Sequence, residues 1–271
     1  MRERGRTNAV LRALRQGGTS VGVNVQTNSP ELVEMVGLAG YDHVMIDWEH
    51  GSFGTDAVVS MIRAAEAVGL TPLVRVPANE EVWIKRVLDA GALGIVVPHV
   101  ATPGQARAAV SAARYTRNRG QGARGACPSV RAAGHLTADW REFAQWSDEN
   151  VFVAVAVESQ EGVDALEEIL SVEGIDALFL GSFDLAHEMG HFGDNSAPEV
   201  AREIDRIVDA ARRASVPLFA TLYRGSTLED ARQDFDRWIG AGARVVNAVS
   251  DRRLVLQSLG ARISALREDR E

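Results

Sequence analysis

Short apolar runs recur along this chain, separated by stretches whose apolar residues return every three or four positions. The runs at 21–25, 44–46, 72–77, 94–98, 151–157, 177–180, 217–222 and 245–249 have the length and β-branched content of buried strands. The stretches from 30 to the glycines at 37 and 40, and at 55–68, 80–90, 103–114, 161–170, 198–214, 227–239 and 252–266, predict helices. Boundary chemistry agrees. Ser29 stands as an N-cap before a proline at the first helical position, and Gly69 and Gly91 fall where two helices should stop. Ahead of the first strand, Ala9, Val10, Leu11 and Leu14 space out a short amphipathic helix closed by Gly17 and Gly18. Residues 139–146 predict another short helix.

Eight strands, each with a following helix, require a parallel sheet, and that number closes a (β/α)8 barrel, the TIM barrel. An open doubly wound sheet is the alternative. Against it, no strand leads into a GxGxxG turn, and Gly240-Ala241-Gly242 precedes a strand, the wrong side for a dinucleotide loop. The expected organisation is a single barrel domain over 1–271 with an N-terminal helix. An insertion near 116–137, containing RNRGQGARGACPSVRAAGH, reads either as a disordered linker or as a cover over an active site.

Composition narrows the class. Of 271 residues, 46% are hydrophobic and 24% charged, the balance of a soluble globular protein. A net charge of −8 argues against a nucleic-acid or anionic-membrane surface. No run approaches a membrane span, and the basic N-terminal segment lacks the apolar core of a signal peptide, so a cytoplasmic location is expected. The one cysteine, Cys127, excludes an internal disulfide and reads as an inert thiol.

In a barrel, function gathers at the C-terminal ends of the strands. There the sequence places Asp47, Glu49 and His50 after strand two, Arg75 on strand three, His99 after strand four, Glu158 after strand five and Asp184 after strand six. Glu158 and Asp184 lie on neighbouring strand ends, where two carboxylates with waters can hold Mg²⁺ or a similar ion. An arginine partner would explain Glu158 equally well. Arg75, at an inward position, calls for an anion: either a substrate carboxylate held by both prongs, or a salt bridge to Asp47 or Glu158. Gly181-Ser182-Phe183-Asp184 turns from a strand toward a short helix whose free N–H groups suit a carboxylate. His43 opens a strand and reads as structural. His187 and His191 have zinc-like i, i+4 spacing but lack the intervening Glu of HExxH. His99 and His135 carry no assigned role.

These stretches resemble the HpcH/HpaI aldolase/citrate lyase family: IDWEHG (46–51), PLVRVPANEEVWIKRVLDAGALGIVVPHV (72–100), RGACPSVRAAG (124–134) and VESQEGVDALEEILSVEGIDALFLGSFDLAHEMG (157–190). The resemblance implies a barrel, an oligomer, and class II pyruvate-type aldolase chemistry on a 2-oxo acid and an aldehyde. By matching motifs it makes Glu158 and Asp184 the ligands of a divalent metal ion (Mg²⁺, Mn²⁺ or Co²⁺). Arg75 becomes the substrate-binding arginine, beside the Gly181 and Ser182 N–H groups already read from the turn, and His50 the acid–base residue oriented by Asp47. Lys85, the only lysine, falls in a helix, and this chemistry needs no Schiff base. Two departures stand out: Ala156 where aldolase members often carry Gln, and GSFD where the family has a GPAD-like turn. Alternatives on the same scaffold are oxaloacetate decarboxylation or carbon–carbon bond formation, and a non-catalytic 2-oxo acid binding barrel. Leu254, Val255, Leu259, Ile263 and Leu266 share a face of the last helix wide enough to pack on a barrel, a partner's included, so a homo-oligomer is expected.

Overall fold

A computed structural model describes residues 7–115, 122–223 and 227–267. In chain order its elements are α1 (Ala9–Arg15), β1 (Ser20–Val25), α2 (Pro30–Leu38), β2 (His43–Asp47), α3 (Thr55–Ala67), β3 (Thr71–Arg75), α4 (Glu81–Ala90), β4 (Gly94–Val97) and α5 (Pro103–Ala113). A 3₁₀ turn at Arg131–Ala133 follows, then α6 (Trp140–Asn150), β5 (Phe152–Val157), α7 (Gln160–Asp164), α8 (Leu166–Leu170), β6 (Ala177–Leu180) and α9 (Ser182–Glu188). The chain continues with α10 (Pro198–Ala214), β7 (Leu218–Thr221), α11 (Leu228–Ala241), β8 (Ala243–Ser250) and α12 (Asp251–Arg267). The eight strands pair in parallel, in sequence order, and β8 closes on β1. The expected (β/α)8 barrel is what the chain forms.

Local chemistry accounts for the boundaries. The Ser29 side chain accepts from the Leu32 N–H ahead of Pro30, and Gly91 ends α4 at φ 109°. Thr102 and Gln105 make a reciprocal capping box at the start of α5. The helix expected at 161–170 is two. Ala165, at ψ 8°, bends the axis, while its N–H and that of Ile169 keep their bonds four residues back. α6, capped at its start by Asp139, runs on past its expected end at 146 to Asn150, where Val151 turns extended into β5; no glycine or proline breaks it sooner.

Alternation sorts the strands into two layers. Ala154 and Ala156 face the barrel interior with Met45, Leu73, Val96, Phe179 and Phe219, whereas Val153, Val155 and Val157 pack outward against the helices. Ala156 is level with Phe179 of β6, so an aromatic ring fills the space beside the alanine. Val10 and Leu11 of α1 join the interior cluster from below. Asn8 fixes that plug by donating to the Leu93 and Asn150 carbonyls, at the foot of β4 and β5. Near the same end, His43 Nδ1 lies 2.8 Å from Ser20 Oγ and its Nε2 3.3 Å from Asn247 Oδ1. His43 is structural, as its place at the start of a strand suggested.

The insertion divides. Residues 116–121 lie outside the described residues, and the remainder does not cover the strand ends. Arg124 donates to Asp89 and Ser147 with its guanidinium 4.5 Å from the Tyr115 ring centre, and Arg131 bonds the Ala90 carbonyl and Glu66. Asp89, Ala90 and Glu66 sit where α4 and α3 descend toward the feet of their next strands. One buried and one half-buried arginine thus tie this segment to the flank and base of the barrel, away from the mouth.

Candidate active site

β2 delivers its last residue into the barrel and then turns tightly. Asp47 and Glu49 point into the mouth, while Trp48 between them turns outward, its ring 5.2 Å from that of Trp83. Asp47 is level with Arg75 across the β2–β3 pairing. Arg75 Nε donates to Asp47 Oδ1 at 2.8 Å and Nη2 to Oδ2 at 2.6 Å. Nη1 lies 3.1 Å from Glu49 Oε2. Arginine has five N–H groups and Asp47 takes two of them, so N–H groups on both terminal nitrogens are left for a ligand. The salt bridge to Asp47 weighed as an alternative to a substrate carboxylate is therefore present, and it does not consume the guanidinium. Phe179 lies beneath, its ring centre 5.8 Å from the Arg75 guanidinium carbon.

The electrostatics follow from that pairing. Burial alone would raise the Asp47 carboxyl, but the hydrogen bonds and charge of Arg75, with Gln26 and the His50 N–H, hold it below the usual carboxylate range. Burial would also lower Arg75, yet Asp47, Glu49 and Glu158 keep it above the ordinary arginine value. Glu158 is pushed up to about 7, first by burial and then by the charge of Glu49, with His99 opposing and Asp184 adding to the rise.

Each expected site residue can now be placed. Glu158 ends β5 almost fully buried, and Asp184 lies half-buried in the first turn of α9. Gly181, between them, makes room: a Cβ there would come within 2.5 Å of Glu158 Cγ. Ser182 opens α9, buried, its hydroxyl accepting from Asn195. His50 stands at the rim with a side chain 53% exposed and Nε2 3.8 Å from Glu49 Oε2. Asp47 meets His50 through the backbone N–H, at 3.3 Å, and the imidazole faces Glu49 instead. His187 and His191 do not gather a ligand set: His187 packs edge-on to Phe192, and His191 lies 3.9 Å from Glu199.

The donor set suits a hard cation. Asp47, Glu49 and Glu158 act on one guanidinium, Asp184 acts on Glu158, and Glu49 Oε2 is buried without a hydrogen bond of good geometry. Among the described residues no three His, Cys, Asp or Glu side chains form a ready cage. An ion at Glu158 and Asp184 would thus take its remaining ligands from substrate and water.

Some residues at the mouth carried no assigned role in the sequence. Gln26 donates to Asp47 Oδ2 at 2.8 Å, and Glu49 bridges Arg75 and His99. Tyr223 follows β7; desolvation at its hydroxyl raises the phenol against the pull of Arg75, and Asp184 and Asp47 also act on it. Its position directly behind a strand was the available signal.

The HpcH/HpaI aldolase/citrate lyase family matches residues 20–251. A 5-keto-4-deoxy-D-glucarate aldolase of Klebsiella pneumoniae subsp. pneumoniae is 35% identical over 223 residues, 82% of each chain. The crystal structure of an HpcH/HpaI aldolase/citrate lyase family protein from Burkholderia cenocepacia J2315 superposes with a TM-score of 0.87 at 33% identity, covering 97% of this chain and 100% of that one. Citrate synthase SbnG follows the same fold at a TM-score of 0.83 and 27% identity, covering 95% and 96%. Closed barrel, strand-end carboxylates and sequence agree: the chain is a carbon–carbon lyase of the HpcH/HpaI aldolase/citrate lyase family.

Proposed function

We propose that the protein is a divalent-metal-dependent class II aldolase, making or breaking a carbon–carbon bond through the enolate of a pyruvate-type 2-oxo acid. The observation that carries this reading is the surplus of negative charge at the mouth: Asp47, Glu49 and Glu158 act on one guanidinium, and Asp184 stands near Glu158. Glu158 and Asp184 hold the ion, Mg²⁺, Mn²⁺ or Co²⁺. When bound, it supplies Lewis acidity toward the ketone and carboxylate of the substrate. Arg75, fixed by Asp47, offers its remaining N–H groups to the oxygen on which negative charge collects as the bond breaks. The Ser182 N–H, in the first turn of α9, faces the substrate carboxylate; the Gly181 N–H, expected to be free for it, donates to the Val157 carbonyl instead, and Gly181 serves by leaving room for Glu158. His50, exposed at the rim, moves the proton of the aldol hydroxyl, directly or through water. Asp47 steadies the His50 backbone. The second partner is an aldehyde, and a keto sugar acid of the kind named for the Klebsiella relative is the first substrate to try.

Chelation abolishes turnover, and Mg²⁺, Mn²⁺ or Co²⁺ restores it; full activity of Glu158→Ala after exhaustive chelation would overturn the assignment. The likeness to a citrate synthase favours a second reading, bond formation or decarboxylation on oxaloacetate. Product analysis with oxaloacetate, with and without aldehyde, separates the two. A barrel that binds without catalysis would take up metal and pyruvate yet leave the methyl protons unexchanged with solvent.

The protein works as one barrel domain over 1–271, in the cytoplasm. It is a homo-oligomer: beyond Asp251, α12 buries nothing on its own barrel, and Leu254, Val255, Leu256, Leu259, Ile263 and Leu266 stand exposed. A partner's barrel is the surface that covers them. Light scattering showing a monomer at working concentration would count against this. No described helix is long and apolar enough to cross a membrane.

A further inference from the structure

β4 leaves its regular pairing at His99. Val97 is level with Val155 on β5, and the Val100 N–H bonds the Ala156 carbonyl. Unbroken parallel pairing would carry Val100 one residue further along β5, so the β4 side holds one extra residue. That residue, His99, sits at φ 53°, a conformation that side chains other than glycine rarely adopt.

The extrusion gives His99 two contacts on opposite sides. Its backbone N–H turns to Glu158 Oε1 at 3.3 Å. Its imidazole, 66% exposed, lies with Nε2 3.0 Å from Glu49 Oε1. β4 runs between β3 and β5, so His99 stands between the Arg75 and Glu158 strand ends. Glu49 is thereby held from two directions, by Arg75 at one oxygen and His99 at the other. The same residue, His99, therefore touches Glu158 Oε1 with its N–H and Glu49 Oε1 with its ring.

An ion at Glu158 and Asp184 would attract this third carboxylate. If Glu49 turned to it, a coordination position that a chelating 2-oxo acid needs would be filled by protein. We propose that His99 is a positioning residue that holds Glu49 off the divalent ion, leaving two protein carboxylates and open positions for substrate. The proposal rests on the metal-dependent aldolase reading above.

Four variants and the parent are titrated with Mn²⁺ alone, by calorimetry, and then with pyruvate. His99→Gly suits the left-handed backbone and keeps the N–H at Glu158 while deleting the hold on Glu49. It should bind Mn²⁺ roughly tenfold more tightly, since an added carboxylate raises affinity. Its Mn²⁺ complex should bind pyruvate more weakly, and the KM for the 2-oxo acid should rise more than kcat falls. His99→Gly combined with Glu49→Gln should return Mn²⁺ affinity to the parent value. His99→Gln, whose amide can reach Glu49, should behave as the parent. Unchanged Mn²⁺ affinity in His99→Gly overturns the proposal, and weaker affinity makes His99 a ligand instead. Glu49→Gln alone tests the point without touching the kink: a large loss of Mn²⁺ affinity would show that Glu49 already ligates. A parent that binds no Mn²⁺ removes the aldolase reading itself, whereas a parent that binds it with indifferent variants removes only the role of His99.

Discussion

His43 and Asp47 begin and end the same strand, face the same barrel interior, and are both closed to solvent. Their titrations differ in kind. Burial pulls the His43 imidazole down to about 4, the hydrogen bond to Asn247 and the charge of Asp42 only partly opposing it, so it stays neutral. Burial acts on Asp47 as well, but there a guanidinium outweighs it and the carboxylate stays charged. His43 is surrounded by a hydroxyl, an amide and the edge of the Phe219 ring, with Gly22 leaving space for the imidazole. Depth therefore does not decide which end of a barrel can do ionic chemistry; the charge of the partner does. The interior around His43 is a neutral hydrogen-bonded lattice, and the mouth is an unbalanced ionic one.

The strongest way to break this contrast is to remove the guanidinium. Arg75→Met strands Asp47 as an unpaired buried charge, and unfolding in denaturant should show a loss of about 3–5 kcal/mol, together with loss of turnover. Arg75→Lys should fold better than Arg75→Met yet lose most turnover, because an ammonium cannot make the two-pronged contact. If Arg75→Met keeps parental stability, the pairing is not what holds Asp47 charged.

The base gives the next largest effect, through pH. His43 binds its proton more weakly folded than unfolded, so its contribution is complete above the ordinary histidine pKa and drains away as pH falls toward 4. The difference amounts to about 3 kcal/mol. His43→Gln should remove that part of the acid sensitivity, read as a shallower fall of stability from pH 6.5 to 4 than in the parent. Identical slopes would mean that the imidazole is not neutral in the fold.

Smaller still is crowding at the mouth. Gly181→Ala forces Glu158 aside and should weaken divalent-ion binding roughly tenfold, with the barrel still folded. His50→Ala sharpens the contrast at its least buried point. Stability should stay within about 0.5 kcal/mol and metal binding should persist, while exchange of the pyruvate methyl protons with solvent is suppressed. Loss of the metal with exchange retained would exchange the roles of His50 and the carboxylates.

Much of this was legible in the sequence because glycines and prolines bracket the strands and period-two alternation sorts their faces. Ala154, Ala156 and the valines of β5 fall on the sides that alternation assigns them. The pairing of Asp47 with Arg75 was open, since it depends on the register between β2 and β3, a tertiary fact. The extruded His99 was less visible, because nothing in VVPHV marks an extra residue until β5 lies alongside. The arginine-rich insertion misled for a related reason: its described cations are spent on Asp89, Ser147, Glu66 and a carbonyl, partners that no spacing reveals. α12 shows the same limit from the other side. Its amphipathic pattern was evident, but α10, equally long, buries Val200, Ile204, Ile207 and Ala211 on the barrel, whereas α12 buries none of its apolar residues there.

The plug at the foot of the barrel bears on how the chain is born. Val10 and Leu11 leave the ribosome before any of the eight strands, yet they share a cluster with Val245 on the last of them. A nascent chain must carry this apolar turn unhoused until β8 arrives and the cylinder shuts. A turn made ahead of every strand is fully seated only after the last, and its seating records that synthesis has reached the eighth strand.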